Sequence, residues 1–279
     1  MPKTPAFTGL LDTYSGAAAA YSLRKLRSAY SGNAIRVRRS SDNAEQDIGF
    51  VNNVLDTASL NTFCSGANGF VTTWYDQSGN NINLTNGVAV NQFKIYDSIT
   101  GVILLNSKPS MTTGFDKVLT TSYFFTPNYT NGVSAFSVMQ QISQLGGGFS
   151  MDSISSIGNG SSTNGQSNSL YITGSTNNPT NYVSSCQAVS FSTAFSSGQK
   201  ILSQFFKSGA NSFYINGSLI NSNTNSLNAP QAPPHRLKIN QIEYLGVATA
   251  NMYIQEYVLY NSDQFSNRVG IETNIDNFY

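Results

Sequence analysis

Ala20-Tyr-Ser-Leu-Arg-Lys-Leu-Arg-Ser-Ala-Tyr-Ser-Gly-Asn-Ala-Ile-Arg-Val-Arg-Arg-Ser-Ser-Asp-Asn-Ala-Glu-Gln-Asp-Ile-Gly-Phe50 is the stretch on which the reading of this chain turns. With the residues just before it, Ala17, Ala20, Leu23, Leu26 and Tyr30 recur at helical spacing, so a helix is predicted over Ser15 to Tyr30, stopped by Ser31-Gly32. From Ala34 to Arg39 the pattern changes to alternation, with Ile35 and Val37 on one face, as in a strand with one buried side. Ser41-Asp42-Asn43 supplies turn chemistry. Arg24, Lys25, Arg27, Arg36, Arg38 and Arg39 are followed closely by Asp42, Glu45 and Asp47. This reads as a set of ion pairs fixing the opening elements, with a phosphate-binding patch as the alternative.

Working outward, Thr57 to Cys64 fits a short helix capped by Thr57 or Ser59. Phe70 to Tyr75 reads as a strand that ends in Asp76-Gln-Ser-Gly-Asn80. Further strands are predicted at Gly101 to Leu105, Phe136 to Ile142, Ser169 to Thr173, Gln187 to Phe191, Ile201 to Lys207, Ser212 to Ile215 and Met252 to Tyr260. Asn216-Gly217 is a hairpin signal, because both residues tolerate positive φ. Gly158 to Thr180 is a polar patch, either a long loop or a loose hairpin, and Asn221 to Pro234 is a second loop. Asn267 to Asn277 closes the chain as a short helix. Many short strands joined by Asn/Gly/Ser turns imply an antiparallel sandwich. Residues 1–13, with Pro2 and Pro5 opposing helix, are expected to form an extended arm, and residues 14–279 a single domain.

Composition supports this and removes several function classes. Of 279 residues, 39% are hydrophobic but only 10% charged, so a core is available while the surface is neutral and polar. A net charge of +1 gives no general attraction to nucleic acid or membrane, and no apolar run spans a bilayer. Cys64, Cys186 and the single His235 cannot build a structural zinc site. Met1-Pro-Lys-Thr-Pro lacks the apolar run of a secretory signal, so synthesis in a cytoplasm is expected.

The opening stretch and Thr73-Trp-Tyr-Asp-Gln-Ser-Gly-Asn80 together resemble the N-terminal part of the fungal-type α-L-arabinofuranosidase B catalytic domain, and also non-enzymatic jelly-roll modules of bacteria and their phages. Phe213-Tyr-Ile-Asn-Gly-Ser-Leu resembles the strand, Asn-Gly, strand hairpin of laminin-G and concanavalin A-like folds. Tyr244-Leu-Gly-Val-Ala-Thr-Ala-Asn-Met-Tyr-Ile-Gln-Glu-Tyr-Val-Leu-Tyr260 is similar to their closing segment, and Ile271 to Tyr279 to the terminal helix of the phage modules. The resemblance implies an all-β, concanavalin A-like jelly-roll β-sandwich with an N-terminal helix and a short C-terminal helix.

That family's retaining chemistry needs two carboxyl groups about 5–5.5 Å apart. The resemblance places its acid/base Asp before the closing strand, where this chain has Gly246-Val-Ala-Thr-Ala-Asn251 and no carboxylate. The family's nucleophile is a mid-domain Glu, and between Asp116 and Glu243 this chain has Asp152 alone. The family's adjacent cysteine pair is reduced to Cys186. These departures, with the polar surface, lead to the expectation of a non-enzymatic virion surface protein: a phage head-decoration, head-fibre or tail-associated protein made in the host cytoplasm. Its expected partners are other virion proteins, held through the N-terminal arm, and glycans; by analogy with phage fibres it would be a homo-oligomer. Alternative readings are an arabinofuranosidase-like hydrolase using Asp152 or Glu256, a bacterial surface lectin or adhesin, and a cement protein binding no sugar. Carbohydrate contacts are expected at Asp76, Asn80, Tyr171, Asn177 and Tyr182, since aromatic faces stack on sugar rings and amides pair with hydroxyls. Asp76 has a second reading, capping its turn and pairing with Arg36, Arg38 or Arg39. No cofactor is expected; a calcium ion at Asp76 and Asn80 is the alternative.

Overall fold

The computed structural model describes residues 6–115, 117–122, 126–144, 149–155, 168–175, 178–186, 189–194, 196–227, 236–240 and 250–279. In chain order the principal elements are α1 (Leu10–Thr13), β1 (Ala17–Ser22), β2 (Ile35–Arg39), β3 (Glu45–Ile48), α2 (Thr57–Cys64), β4 (Gly69–Trp74), β5 (Leu84–Thr85), β6 (Phe93–Asp97), β7 (Met111–Thr112) and β8 (Leu119–Thr120). They continue as β9 (Val133–Gln144), β10 (Phe149–Ser155), β11 (Asn168–Ser175), β12 (Asn178–Cys186), β13 (Val189–Ala194), β14 (Lys200–Phe206), β15 (Asn211–Ile215), β16 (Ser218–Asn223), β17 (Arg236–Ile239), β18 (Ala250–Tyr260) and α3 (Arg268–Asp276).

The strands form one antiparallel, jelly-roll-like sheet folded onto itself. One layer runs β1–β18–β9–β14–β15–β16. The other runs β3–β2–β4–β5–β8–β17–β10–β11–β12–β13. β6 and β7 join the layers at a corner, through β4 on one side and β18 on the other. The principal core lies between them, with Trp74, Phe93, Leu237 and Ile239 packed against Tyr21, Phe206, Phe213 and Tyr257.

The first layer is buried on both faces around β18, while its edge strand β16 is mostly exposed. Tyr257 and Leu259 of β18 enter the principal core, while Val258 and Tyr260 enter a second cluster. That second cluster is roofed by Leu10 and Leu11 of α1 and by Ile271 and Ile275, one turn apart on α3. This corrects two expectations. Ala17 to Ser22 is a strand, not the start of a helix reaching Tyr30. Ala19 and Tyr21 face inward, Ala17 and Ala20 face the helices, and a bulge between Ala17 and Ala19 gives the apolar set its helix-like spacing. The N-terminal helix is the short α1. Leu10 and Leu11 are built into the domain, so the expected arm over residues 1–13 is not free along its length; residues 1–5 lie outside the described residues.

Other expectations match more closely. α2 spans the anticipated residues, but its cap is Asp56, which accepts from Ser59 N at 3.0 Å. The Asn216-Gly217 turn has φ of 49° and 75° and joins β15 to β16. Part of the polar patch at Gly158 to Thr180 forms β11, which pairs with β12. Three arginines of the basic cluster form ion pairs, Arg24 with Glu256, Arg36 with Glu45 and Asp47, and Arg39 with Asp42, while Arg38 donates to Gln92 and Asn43. Cys64 is a free thiol in the core, and burial pushes its pKa up to about 11.

Candidate active site

A carboxylate that does chemistry must not be consumed by the fold, so the partners of each acid come first. Asp76 is buried, and donors fill both of its oxygens. Its Oδ1 accepts from Ala20 N and Ser78 N, each at 2.9 Å, and its Oδ2 from Ser78 Oγ at 2.7 Å and Ile82 N at 3.1 Å. Asn80 Nδ2 donates to the carbonyls of Ala17 and Ala18 at 3.0 Å. Between them, Gln77 accepts from Leu26 N and donates to the carbonyls of Ser22 and Arg24. The Asp76–Asn80 turn therefore staples β1 and the segment after it. Asp76 caps its turn, as one reading anticipated, but its partners are backbone amides and a serine hydroxyl instead of the arginines. Four donors around its oxygens also make a poor setting for a cation.

Glu256, a catalytic alternative in the sequence, is fully buried on β18. Arg24 grips it with both arms, Nε to Oε2 at 2.7 Å and Nη2 to Oε1 at 2.9 Å. Ser22 Oγ donates at 2.8 Å and the Tyr279 hydroxyl lies at 3.2 Å. Burial works against the Arg24 charge, but the Glu256 carboxylate outweighs it and holds the guanidinium pKa above its ordinary value. Glu256 is thus an ion-paired structural residue, sealed from substrate. On α3, Glu272 is buried and accepts from Ser203 Oγ at 2.7 Å and Arg268 Nη1 at 2.5 Å. Sequence reading missed both Gln77, inside the Asp76–Asn80 turn, and Glu272, on the closing helix.

Asp152 lies on β10, next to a bulge between Ser150 and Asp152. β10 pairs with β17 through Ser153↔Lys238, Ile154↔Leu237 and Ser155↔Arg236, and β8 flanks β17 on its other side. β17 is followed by Asn240, which is buried with φ of 69°. Asn240 Nδ2 donates to the carbonyls of Lys117 at 2.8 Å and Gly114 at 3.2 Å. The same strap is held from β18, where Asn251 Oδ1 accepts from Gly114 N at 3.2 Å and Met252 N donates to Thr113 Oγ1 at 3.1 Å. Asn240 and Asn251 therefore anchor both flanks of residues 241–249 to one strap. This mouth, where the ends of β17 and β18 meet beside β10, is the candidate active site. Asp116 and Glu243 lie outside the described residues.

Of the sugar contacts expected from sequence, Tyr171 sits on β11 and Tyr182 on β12. Tyr171 pairs with Val183 and Tyr182 with Ile172, on successive rungs of the β11–β12 ladder. Asn177 lies outside the described residues. The structure does not bring Asp76 and Asn80 into this β11–β12 hairpin; they remain on the turn that staples β1.

The family model for the catalytic domain of alpha-L-arabinofuranosidase B matches residues 12–198, more than half of the chain. No curated protein sequence matches. Among solved structures, a mutant GH54 α-L-arabinofuranosidase soaked with 4-nitrophenyl α-L-arabinofuranoside superposes with a TM-score of 0.76 at 16% identity, over 96% of this chain and 65% of that one. An arabinofuranosidase complexed with arabinofuranosyl-α-1,2-xylobiose gives the same score and identity, over 96% and 64%. The chain thus spans just under two thirds of the length of these structures. These matches overturn the expectation of a non-enzymatic virion surface protein: the family and the folds that superpose are those of glycoside hydrolases, and nothing in them marks this chain as inactive.

Proposed function

The chain belongs to the alpha-L-arabinofuranosidase B catalytic-domain family, and on that premise we propose that it is a glycoside hydrolase releasing α-L-arabinofuranosyl groups from a polysaccharide. The family match over residues 12–198 is the observation that carries this reading. The substrate class is that of the similar structures, which were studied with an aryl arabinofuranoside and an arabinofuranosyl xylobiose.

Hydrolysis with retention needs a nucleophilic carboxylate and a second carboxyl group that protonates the leaving oxygen and later activates water. Asp76, Glu256 and Glu272 are excluded by their partners. We assign the nucleophile to Asp152 on β10. We assign the acid/base to Glu243, the acid nearest in sequence before the closing strand. This keeps the chain order implied by the family resemblance, mid-domain nucleophile first. Asp152 directly precedes Ser153, which pairs with Lys238, and Glu243 follows Asn240 by three residues in the sequence.

The test is release of arabinose. The wild-type protein is expected to hydrolyse both 4-nitrophenyl α-L-arabinofuranoside and arabinoxylan. Glu243→Gln should lose about 10²–10⁴-fold on arabinoxylan, whose leaving group needs a proton, and far less on the aryl substrate, whose leaving group does not. Absence of turnover of either substrate by the wild-type protein would sink the proposal.

A further inference from the structure

A groove of about 540 Å³ lies on the outer face of the β15–β16 hairpin, within the size range of small-ligand sites. It is remote in topology from the mouth at β17 and β18, since β15 and β16 form the far edge of the first layer. The cross-strand pairs Ser212↔Ser222 and Tyr214↔Leu219 contribute to its lining. Phe265 forms a wall. Its ring packs against Phe205, with centroids 5.6 Å apart and the rings near perpendicular, and against Tyr214 at 6.3 Å, yet the residue remains 50% exposed. Leu219 beside it is 53% exposed. A ring held by two aromatic neighbours and half open to solvent is a platform.

The other lining groups are amides and hydroxyls. Asn211 Nδ2 donates to Asn223 Oδ1 at 3.1 Å and to the Asn225 carbonyl at 2.8 Å, which sets the far rim. Asn211 is 1% exposed and its Oδ1 has no hydrogen-bond partner, an acceptor left over beneath the groove. The one lining acid, Asp263, is paired with Lys207 at 3.1 Å and accepts from Phe265 N at 2.9 Å, so the groove presents no uncompensated charge. An open aromatic face beside neutral amides and hydroxyls matches the chemistry of a neutral sugar chain, apolar on its ring faces and rich in hydroxyls at its edges.

We propose that this groove is a second carbohydrate-binding site, holding a neutral polysaccharide chain on the Phe265 platform away from the site of hydrolysis. The choice of arabinoxylan as probe rests on the function proposed above; the groove itself does not require that activity. The experiment is affinity electrophoresis of the full chain in gels containing soluble arabinoxylan, with 4-nitrophenyl α-L-arabinofuranoside turnover measured in parallel. The wild-type protein should be retarded. Phe265→Ala should weaken binding about tenfold, the scale of one lost ring stack. Leu219→Glu, at an exposed position, should do the same without lowering the melting temperature. Turnover of the aryl substrate should be unchanged in both variants. No retardation of the wild-type protein, or equal retardation of wild type and Leu219→Glu, would overturn the groove. Loss of aryl turnover in the wild type would bear on the hydrolase reading alone.

Discussion

The turn at Asp76 and the mouth at Asn240 and Asn251 are both built by side chains that bind backbone groups, and they differ in what they hold. At the turn, Asp76, Gln77 and Asn80 are tied to backbone groups on β1 and the segment that follows it. At the mouth, Asn240 and Asn251 hold the Gly114 strap from two sides and bracket the stretch that contains Glu243. A conspicuous motif is thus not a catalytic one by virtue of its residue types. The fold claims Asp76 and Glu256, whereas the proposed nucleophile, Asp152, stands in the plain sequence Ser150-Met-Asp-Ser.

This contrast can be broken by substitution, from the largest effect to the smallest. Asp152→Asn should abolish turnover, by 10³-fold or more as a rough guide to loss of a nucleophile, while the melting temperature stays near that of the wild type. A variant that keeps its activity would move the nucleophile elsewhere. Glu256→Gln should do the reverse. Removing one partner of a buried ion pair costs about 3–5 kcal/mol, so chemical denaturation should show a large loss of stability, and any soluble fraction should keep its specific activity. Asp76→Ala leaves buried backbone donors unsatisfied, at about 1–3 kcal/mol for each group; it should unfold more readily than the wild type, with the protected amides of Ala20 and Ile82 exchanging first by hydrogen exchange. Unchanged protection at those amides would break the assignment of Asp76 to the fold.

The smallest effect concerns pH. Asp42 and Asp97 are held down to about 2, chiefly by hydrogen bonds from Arg39 and Lys94 respectively. With pKa values lower in the folded state than the ordinary 3.8, their contribution is present above that value and fades as pH falls toward about 2. Both groups are at the surface, so high salt should flatten this part of the acid-unfolding profile. The double variant Asp42→Asn and Asp97→Asn should flatten it as well.

Much of the sandwich was legible because its signals are local. Asn216-Gly217 needs positive φ at both residues, and β18 can be read from its own apolar run. The helix expected over Ser15 to Tyr30 failed for a non-local reason. β1 is covered on one face by the opposite layer and on the other by α1 and α3, so apolar residues occupy both faces with no polar alternation, and a bulge shifts Ala17 and Ala20 onto one face. α1 itself is too short to announce itself except through Leu10 and Leu11. The site was less legible. The sequence gives the number of acids but not their partners, and only the structure reveals that Glu256 belongs to Arg24. The absence of a carboxylate in Gly246 to Asn251 led toward a non-enzyme, whereas the family match extends across Asp152 and the fold superposes along nearly the whole chain.

The most direct measurement is turnover of 4-nitrophenyl α-L-arabinofuranoside by the purified wild-type protein beside Asp152→Asn. Steady release of arabinose by the wild type, lost in a variant that melts at the same temperature, is the expected result. No release by a folded wild-type protein, or equal release by both, would contradict the central claim.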